Sequence, residues 1–233
     1  MLAHLTKLRG AALNLLFPQF CVGCGKEGSF LCNSCLQSLP HIEPPVCSRC
    51  GRPQTEGEFC RNCRDWQADI DGIRAPFRFD GVIRTAILQL KYRNLRAIAP
   101  ALAQLMSEYL INNPLDSDIL IPVPLHDKRL RERGYNQSTL LANELGALMN
   151  LPVDETSLIR EKYVLPQART TSVEERRANV AGVFSCKGDG LQDKRVLLID
   201  DVATSGATMN ACAAVLKSVG ILSVWGLSLA REI

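Results

Sequence analysis

The spacing of apolar positions changes along the chain and divides it into two parts. Beyond residue 66, the alternation of Ile73, Ala75, Phe77 and Phe79 with more polar neighbours predicts a half-buried strand. The elements predicted after it are a helix carrying Ile83, Ile87 and Leu90, a helix near 95–111, a strand within 118–124, a helix at 137–150, a strand with its apolar core at 196–199, a helix at 206–219 and a strand at 221–230.

Strands that alternate with helices and are apolar almost throughout are typical of a parallel sheet covered on both faces. In such sheets, ligands bind beyond the carboxyl ends of the strands. We therefore expect an α/β domain at 67–233, preceded by an N-terminal segment and a cysteine-rich module at 1–66.

The N-terminal segment shows helical rather than targeting character. Leu2, Leu5, Leu8 and Ala12 recur at helical spacing and predict a short amphipathic helix. The apolar run at 11–17 is short and ends without a small-residue cleavage site. No stretch approaches the roughly 20 apolar residues of a membrane span, so we expect a cytoplasmic protein. A net charge of +3 does not by itself indicate nucleic-acid binding.

Eight of the ten cysteines precede residue 64 and form four Cys-x-x-Cys turns. One such turn brings two thiolates to an ion, and two turns complete a tetrahedral zinc site. The motif "CVGCGK…LCNSC" is echoed by "CSRCGR…FCRNC", which favours sequential pairing, although a crossed pairing fits the spacing too. A disulfide framework is the alternative, but Cys-x-x-Cys spacing without a secretion signal favours metal. The candidate ligands are Cys21, Cys24, Cys32 and Cys35 for one zinc, and Cys47, Cys50, Cys60 and Cys63 for another.

These zinc sites are expected to be structural, because four thiolates leave no open coordination position for a substrate. The histidines His4, His41 and His126 are isolated and lack ligand spacing. Cys186 and Cys212 also stand alone, and a lone cysteine is usually a buried apolar residue. No cysteine is therefore assigned as a nucleophile.

The stretch "VLLIDDVATSGATM", 196–209, suggests a binding site for a sugar phosphate. Backbone N–H groups of the small-residue loop and the positive end of the following helix suit a phosphate. The two aspartates would repel that phosphate, so we expect them to face ribose hydroxyls or a magnesium ion. The alternative is that they only cap the helix. The candidate residues are Asp200, Asp201, Ala203, Thr204, Ser205, Gly206, Ala207 and Thr208.

Three basic clusters accompany this loop: "KYRNLR" at 91–96, "HDKRLRERGYNQS" at 126–138, and "ARTTSVEERRAN", which carries Arg169, Arg176 and Arg177. Such groups can neutralise a pyrophosphate, or bind a single strand through cations and stacked rings. Each cluster taken alone is equally consistent with a solvated surface. The candidates for pyrophosphate or DNA are Lys91, Tyr92, Arg93, Lys128, Arg131, Arg133, Tyr135, Asn136 and Gln137.

The stretch 196–209 resembles the phosphoribosyl-pyrophosphate signature of type I phosphoribosyltransferases. The resemblance implies that Asp200 and Asp201 hold the ribose hydroxyls and that 204–208 holds the 5-phosphate, with magnesium accompanying the ligand. In purine-salvage members, the position of Thr204 is usually an aspartate suited to act as a general base. Thr204 therefore disfavours purine salvage.

The four Cys-x-x-Cys turns, "LKYRN", "PVPLHDKRLRERGYNQS", "ERRANVAGVF", "VLLIDDVATSGAT" and "VWGLSLARE" occur in the same order as in the ComF competence family. This resemblance covers nearly the whole chain. It implies a type I phosphoribosyltransferase-like parallel sheet flanked by helices and preceded by a zinc module. It also implies an association with natural transformation, in which incoming single-stranded DNA is handled on the cytoplasmic side. Gln167 is followed by "ARTTSV", where the family often has a Leu-Ser pair.

Three functional hypotheses follow. The first is an accessory protein of DNA uptake that binds single-stranded DNA and keeps a phosphoribosyl-pyrophosphate pocket. The second is an active magnesium-dependent phosphoribosyltransferase on an unidentified acceptor, with Arg131 and Arg133 stabilising the leaving pyrophosphate. No catalytic base is assigned for it. The third is a zinc-dependent scaffold that docks on a helicase-like DNA-uptake protein.

Overall fold

A central parallel β-sheet organises the second part of the chain in the computed structural model, which describes residues 18–162, 182–187 and 190–233. The elements in chain order are α1 (Asn33–Gln37), β1 (Gly72–Arg74), β2 (Phe77–Arg78), α2 (Gly81–Tyr92), a 3₁₀ turn (Arg96–Ile98), α3 (Ala99–Asn112), β3 (Ile119–Pro122), α4 (Asp127–Arg133), α5 (Gln137–Met149), β4 (Leu158–Arg160), β5 (Phe184–Cys186), β6 (Arg195–Ala203), α6 (Ala207–Ser218) and β7 (Ser223–Arg231).

The strand order across the central sheet is β1–β7–β6–β3, and all of its pairs are parallel. β2 also pairs with β7, in the same register as β1: Gly72 lies opposite Trp225, and Phe77 lies opposite Ala230. The strand predicted within 71–81 is therefore one edge strand in two pieces. Pro76 lies between the pieces and has no N–H to contribute to the ladder.

Both faces of the sheet are buried, as the apolar strands predicted. Successive side chains of β6 point to opposite faces. Leu197 and Ile199 pack in a cluster with residues of α2, α3 and α5. Val196 and Leu198 pack in a second cluster with residues of α6 and of the antiparallel β4–β5 pair. The predicted fold class, a helix-flanked parallel sheet, is confirmed.

β6 is longer than its apolar core. The prediction that the buried strand stops before Asp200 is wrong, because backbone pairing with β7 continues to Ala203 opposite Arg231. β7 is apolar and almost wholly buried, and it supplies hydrogen-bonding partners for backbone beyond the end of the apolar run. The extension places both aspartates inside a strand rather than after one.

Three features were not predicted from the sequence: the five-residue α1, α4 and the β4–β5 pair. α4 contains no buried residue, so it has no apolar periodicity to recognise. β4 and β5 have three residues each, which is too short for an alternation pattern. The predicted amphipathic helix at the N-terminus and the cluster of Arg169, Arg176 and Arg177 lie outside the described residues.

The cysteine-rich module packs directly on the α/β domain. Backbone N–H of Ile73 in β1 donates to the carbonyl of Arg49 at 2.7 Å, and Arg74 Nη1 donates to the carbonyl of Ser48 at 2.9 Å. The first half of the module lies against α2, where a Cβ on Gly23 would come within 2.9 Å of Val82. Among the described residues, no helix is long and apolar enough to cross a membrane.

Candidate functional site

The eight predicted cysteine ligands form two clusters of four. The clusters are Cys21, Cys24, Cys32 and Cys35, and Cys47, Cys50, Cys60 and Cys63, with all sulfur atoms of a cluster within 4.8 Å of one another. Four thiolates at a tetrahedral zinc lie about 3.8 Å apart, and measured Sγ–Sγ separations include 3.5 Å for Cys24–Cys32 and 3.7 Å for Cys50–Cys60. The clusters fit two structural zinc sites with sequential pairing.

The sequence repeat in the module is also a structural repeat. The N–H of Cys32 donates to Cys21 Sγ at 3.4 Å, and the N–H of Cys60 donates to Cys47 Sγ at 3.3 Å. In each half, the glycine after the first Cys-x-x-Cys turn donates its N–H to the carbonyl of the first cysteine. These bonds place the corresponding sulfur atoms of the two halves in the same way. We name the Cys21 cluster the first zinc centre and the Cys47 cluster the second.

A buried arginine lies near the second zinc centre. Arg231, the last residue of β7, is 1% exposed, and its Nε and Nη1 have no hydrogen-bond partner within the described part of the chain. A hydrogen bond from the Cys63 thiol, with the charge of Arg231, lowers the pKa of Cys50 to about 4. The negative charge of a four-thiolate zinc centre therefore has a cation of the α/β domain as its neighbour.

The adjacent aspartates Asp200 and Asp201 point to opposite faces of the sheet because they lie within β6. Asp201 faces α2 and forms an ion pair with Lys91 Nζ at 2.6 Å, with side-chain exposures of 3% and 19%. An ion pair this well buried is costly to break from one side. Asp201 is thus already partnered, whereas the sequence analysis expected both acids to face one ligand.

Asp200 lies half-buried on the other face. Its Oδ1 accepts a hydrogen bond from the hydroxyl of Ser138 at 2.9 Å and from the N–H of Asp201. Burial, reinforced by the charge of Asp201, raises the pKa of Asp200 to about 7. Ser138, in the first turn of α5, was not among the predicted site residues, since nothing in its local sequence distinguishes it from other helix-start serines.

The loop after β6 connects it to α6 through Thr204, Ser205 and Gly206. Gly206 has φ of +79°, a conformation that favours glycine. The Ser205 hydroxyl accepts the N–H of Ala207 at 3.3 Å, so this predicted phosphate donor also caps the helix. Thr204 and Thr208 are half-buried. The N-terminus of the twelve-residue α6 therefore meets this loop at the carboxyl edge of the sheet.

A basic groove lies beside Lys91 at the same edge. Its cavity of about 460 Å³ is lined by Lys91, Tyr92, Asn94, Arg129, Glu132, Arg133 and Tyr135. The Tyr92 ring is 69% exposed, and the Arg133 guanidinium lies 5.4 Å from the centre of that ring. We refer to this feature as the basic groove. Arg129 and Asn94 are members that the candidate set did not include.

Some predicted candidates are occupied by structural roles. Tyr135 is 6% exposed and its hydroxyl donates to the carbonyl of Leu90, so its ring is not presented to a nucleic-acid base. Asn136 caps α5 and donates to the carbonyl of Val123. Gln137 is buried and accepts a hydrogen bond from Arg133. These three residues hold the groove in shape rather than line it with free polar groups.

The remaining candidates divide by exposure. Arg93 follows α2, and Lys128 and Arg131 lie on α4; all three are exposed. His126 caps α4 by accepting the N–H of Lys128, and the His41 ring packs on Phe77 at 4.8 Å. Cys212 is buried in α6, as its isolation in sequence suggested.

Arg160 of β4 was also missed by the sequence analysis. Its guanidinium lies 5.4 Å from the centre of the Phe184 ring, and its buried Nε has no hydrogen-bond partner within the described residues. Burial lowers the pKa of Arg160, and the charge of Asp200 opposes that shift. A cation thus lies on the Asp200 side of the sheet, whereas Lys91 lies on the Asp201 side.

Comparisons with known proteins match both parts of the chain. The double zinc ribbon domain family matches residues 12–64. Competence protein F of Haemophilus influenzae is 30% identical over 210 residues, which cover 85% of this chain and 90% of that protein. Competence protein ComFC of Bacillus subtilis is 29% identical over 202 residues, 84% of this chain and 81% of that protein. DNA utilization protein YhgH of Escherichia coli is 25% identical over 209 residues, which cover 87% of this chain and 91% of that protein.

Among solved structures, a purine phosphoribosyltransferase from Pyrococcus horikoshii aligns with a TM-score of 0.36 and 19% identity. The alignment covers 56% of this chain and 71% of that one.

Zinc stoichiometry tests the pairing. Because a structural zinc site needs its full set of thiolates, the double variant Cys24→Ser/Cys32→Ser is expected to keep the second zinc and lose the first. The double variant Cys24→Ser/Cys50→Ser should lose both, whereas crossed pairing would leave it one zinc, and Cys186→Ser should lose neither. Zinc per chain, measured by elemental mass spectrometry, checks this. Loss of both ions in Cys24→Ser/Cys32→Ser would indicate crossed pairing.

Asp200 should make stability depend on pH. Its folded pKa of about 7 lies above the ordinary value of 3.8, so the folded chain holds a proton that the unfolded chain releases between these values. The free energy of unfolding should therefore fall as pH rises towards 7, by up to ~1.4 kcal/mol per unit, and level off above it.

Urea unfolding between about pH 5 and pH 8 measures this slope. Asp200→Asn should flatten it. The control is Asp118→Asn, since hydrogen bonds from Arg195 lower the pKa of Asp118 to about 2 and put its titration below this range. A slope that persists in Asp200→Asn would assign the dependence to another group.

Proposed function

Because this chain belongs to the ComF competence family, we propose that it handles single-stranded DNA in the cytoplasm during DNA uptake, and that the loop after β6 binds phosphoribosyl pyrophosphate or a related ribose phosphate. The family assignment supports the competence-related role. The ligands are inferred from the chemistry of the carboxyl edge of the sheet.

The exposed ring of Tyr92 is the observation that carries the DNA proposal. Tyrosine usually buries most of its ring, yet Tyr92 is 69% exposed at the end of α2. Arg133 packs on this ring at 5.4 Å and Lys91 lies one residue away in sequence. An accessible ring with cations around it suits a single strand, whose bases stack on aromatic rings while the phosphates meet the charges.

The charge distribution supports the same ligand. The net charge of +3 is small, so binding must depend on local clusters. The basic groove contributes Arg129 and Arg133 against one acid, Glu132, while its third cation, Lys91, is paired with Asp201. Exposed Arg93, Lys128 and Arg131 lie close by in sequence and extend the positive surface. The similarity to a protein named for DNA utilization is consistent with this choice of ligand.

The ribose phosphate is supported by the loop and by Asp200. The short loop before α6 offers backbone N–H groups and the positive end of a helix dipole. Asp200 is half-buried beside it and has no lysine ion-pair partner among the described residues, so it is the acid suited to a ribose hydroxyl or to magnesium. Magnesium would neutralise part of the pyrophosphate charge. Asp201 would act indirectly, by fixing Lys91 between the loop and the groove.

A second candidate is phosphoribosyl transfer to an unidentified acceptor. One observation favours it: a carboxyl whose pKa is raised to about 7 by burial can exchange a proton near neutral pH. In this reaction the acceptor forms a bond to the anomeric carbon as the bond to pyrophosphate breaks and pyrophosphate departs with the electron pair. Asp200 would take the acceptor proton. A helicase-like partner for the zinc module stays a prediction.

Binding of a fluorescent oligothymidine tests the DNA proposal. Because stacking on one ring contributes ~1–3 kcal/mol per base, Tyr92→Ala should weaken binding by about 5- to 150-fold, and Arg133→Ala should weaken binding and reduce its salt dependence. Lys194→Ala is the matched control, since it removes an exposed cation just before β6, at the opposite end of the strand. Fluorescence anisotropy over a salt series measures each affinity. Equal losses in all three variants would contradict a specific groove.

Calorimetry with phosphoribosyl pyrophosphate and magnesium tests the loop. Thr208→Asp places a negative charge in the first turn of α6, where it stabilises the helix but repels a phosphate. This variant should abolish binding. Thr208→Asn, whose side chain has nearly the shape of aspartate but no charge, should retain binding. Pyrophosphate released on addition of candidate acceptors would support the transferase candidate. Binding without release from any acceptor in a metabolite panel would count against it.

A further inference from the structure

Trp66 connects the second zinc centre to the core of the α/β domain. Its side chain packs on the small apolar cluster of Cys47, Cys50 and Cys63, together with Phe59. It also packs on the large cluster on the α6 face of the sheet. Trp66 lies three residues after the last zinc ligand, so its position follows that of the metal site.

Arg49 fixes Trp66 to the second zinc centre. Arg49 lies between Cys47 and Cys50 in the sequence, and its Nη1 donates to the carbonyls of Cys63 and Trp66. The N–H of Trp66 donates to the carbonyl of Cys63 at 3.3 Å. The guanidinium also packs on the Phe59 ring at 4.8 Å. These contacts depend on the cysteine turns keeping their shape.

The other side of the Trp66 ring meets the loop after β6. A Cβ built on Gly206 would lie 3.5 Å from Trp66 Cη2 and 2.7 Å from Ile73 Cδ1. Ile73 is itself tied to the second centre, because its N–H donates to the carbonyl of Arg49. The loop therefore lies directly against two side chains that the second zinc centre positions.

A second set of contacts joins the start of α6 to the segment that leaves the module. Asn210 Oδ1 accepts the N–H of Asp69 at 2.8 Å and of Ile70 at 3.2 Å. Lys217, at the end of α6, pairs with Asp71 at 2.5 Å. The segment after Trp66 is thus bound along α6 from its first turn to its last.

The glycine that follows the first Cys-x-x-Cys turn makes different contacts in the two zinc centres. A Cβ on Gly51, in the second centre, would lie 2.5 Å from the carbonyl oxygen of Ile73. A Cβ on Gly25, at the corresponding position of the first centre, would meet no atom of the described residues within 4 Å. The repeat is symmetric in its own hydrogen bonds but asymmetric in how it meets the α/β domain.

We propose that the second zinc centre, acting through Trp66 and Ile73, holds the loop at residues 204–206 in place, so that loss of zinc from this centre releases the loop while loss of the first zinc does not. The consequence for ligand affinity rests on the proposed binding of a ribose phosphate at this loop. The release of the loop is proposed independently of any ligand. Trp66 and Ile73 are positioning residues, since neither is expected to touch the ligand.

Hydrogen exchange of the full chain, followed by mass spectrometry of peptides that contain residues 204–210, tests the proposal. Cys60→Ser, which removes a ligand of the second centre, and Trp66→Ala, which keeps all eight cysteines, should each raise the exchange rate about tenfold. Cys32→Ser, which removes a ligand of the first centre, should leave it unchanged. Trp66→Phe should restore most of the protection. Zinc per chain is measured on every sample.

The outcomes separate the two claims. Unchanged exchange at 204–210 in zinc-replete Trp66→Ala overturns the inference, whether or not Cys60→Ser folds. Equal increases in Cys32→Ser and Cys60→Ser overturn it too, because they indicate general loosening of the module. Affinity for phosphoribosyl pyrophosphate with magnesium is measured in parallel and should fall with the protection. If the unaltered protein binds none, the proposed ligand is rejected, while the exchange data still decide the role of zinc.

Discussion

Parallel pairing of β6 with β7 is the constraint on which the candidate site depends. The two nine-residue strands stay in register from Arg195 to Ala203. Their length carries the chain past its apolar core and brings the two aspartates into the sheet. One carboxylate is thereby turned towards Lys91 and the other towards Ser138. The loop that follows begins at the sheet edge because the pairing ends there.

The carboxyl edge of the sheet concentrates charges of both signs. Lys91 is part of the basic groove and is also the ion-pair partner of Asp201. Any anion that competes for Lys91 must leave a buried carboxylate partly uncompensated, which is costly. The groove and the loop after β6 are thus linked through one ion pair. The basic groove and the loop therefore lie beside each other at one edge of the sheet.

The zinc module is part of the folded core rather than an appendage. A chain segment of this length buries little apolar surface alone, so bound metal contributes most of its folding free energy. Its second half gives backbone carbonyls to β1 and presents a zinc centre to the buried Arg231. The α/β domain in turn relies on the module to cover β1 and the start of α6.

The sequence by itself determined the features that depend on local chemistry. Cys-x-x-Cys spacing specified two four-thiolate sites, since the turn alone brings two sulfurs together, and apolar periodicity specified the helix-flanked parallel sheet. Only the tertiary structure decided how far β6 extends, because that depends on the partner strand. It also decided that Tyr92 is exposed while Tyr135 is buried, although both tyrosines lie within two residues of an arginine in sequence. The length of β6 and the exposure of each tyrosine depend on residues far away in sequence, so no local pattern predicts them.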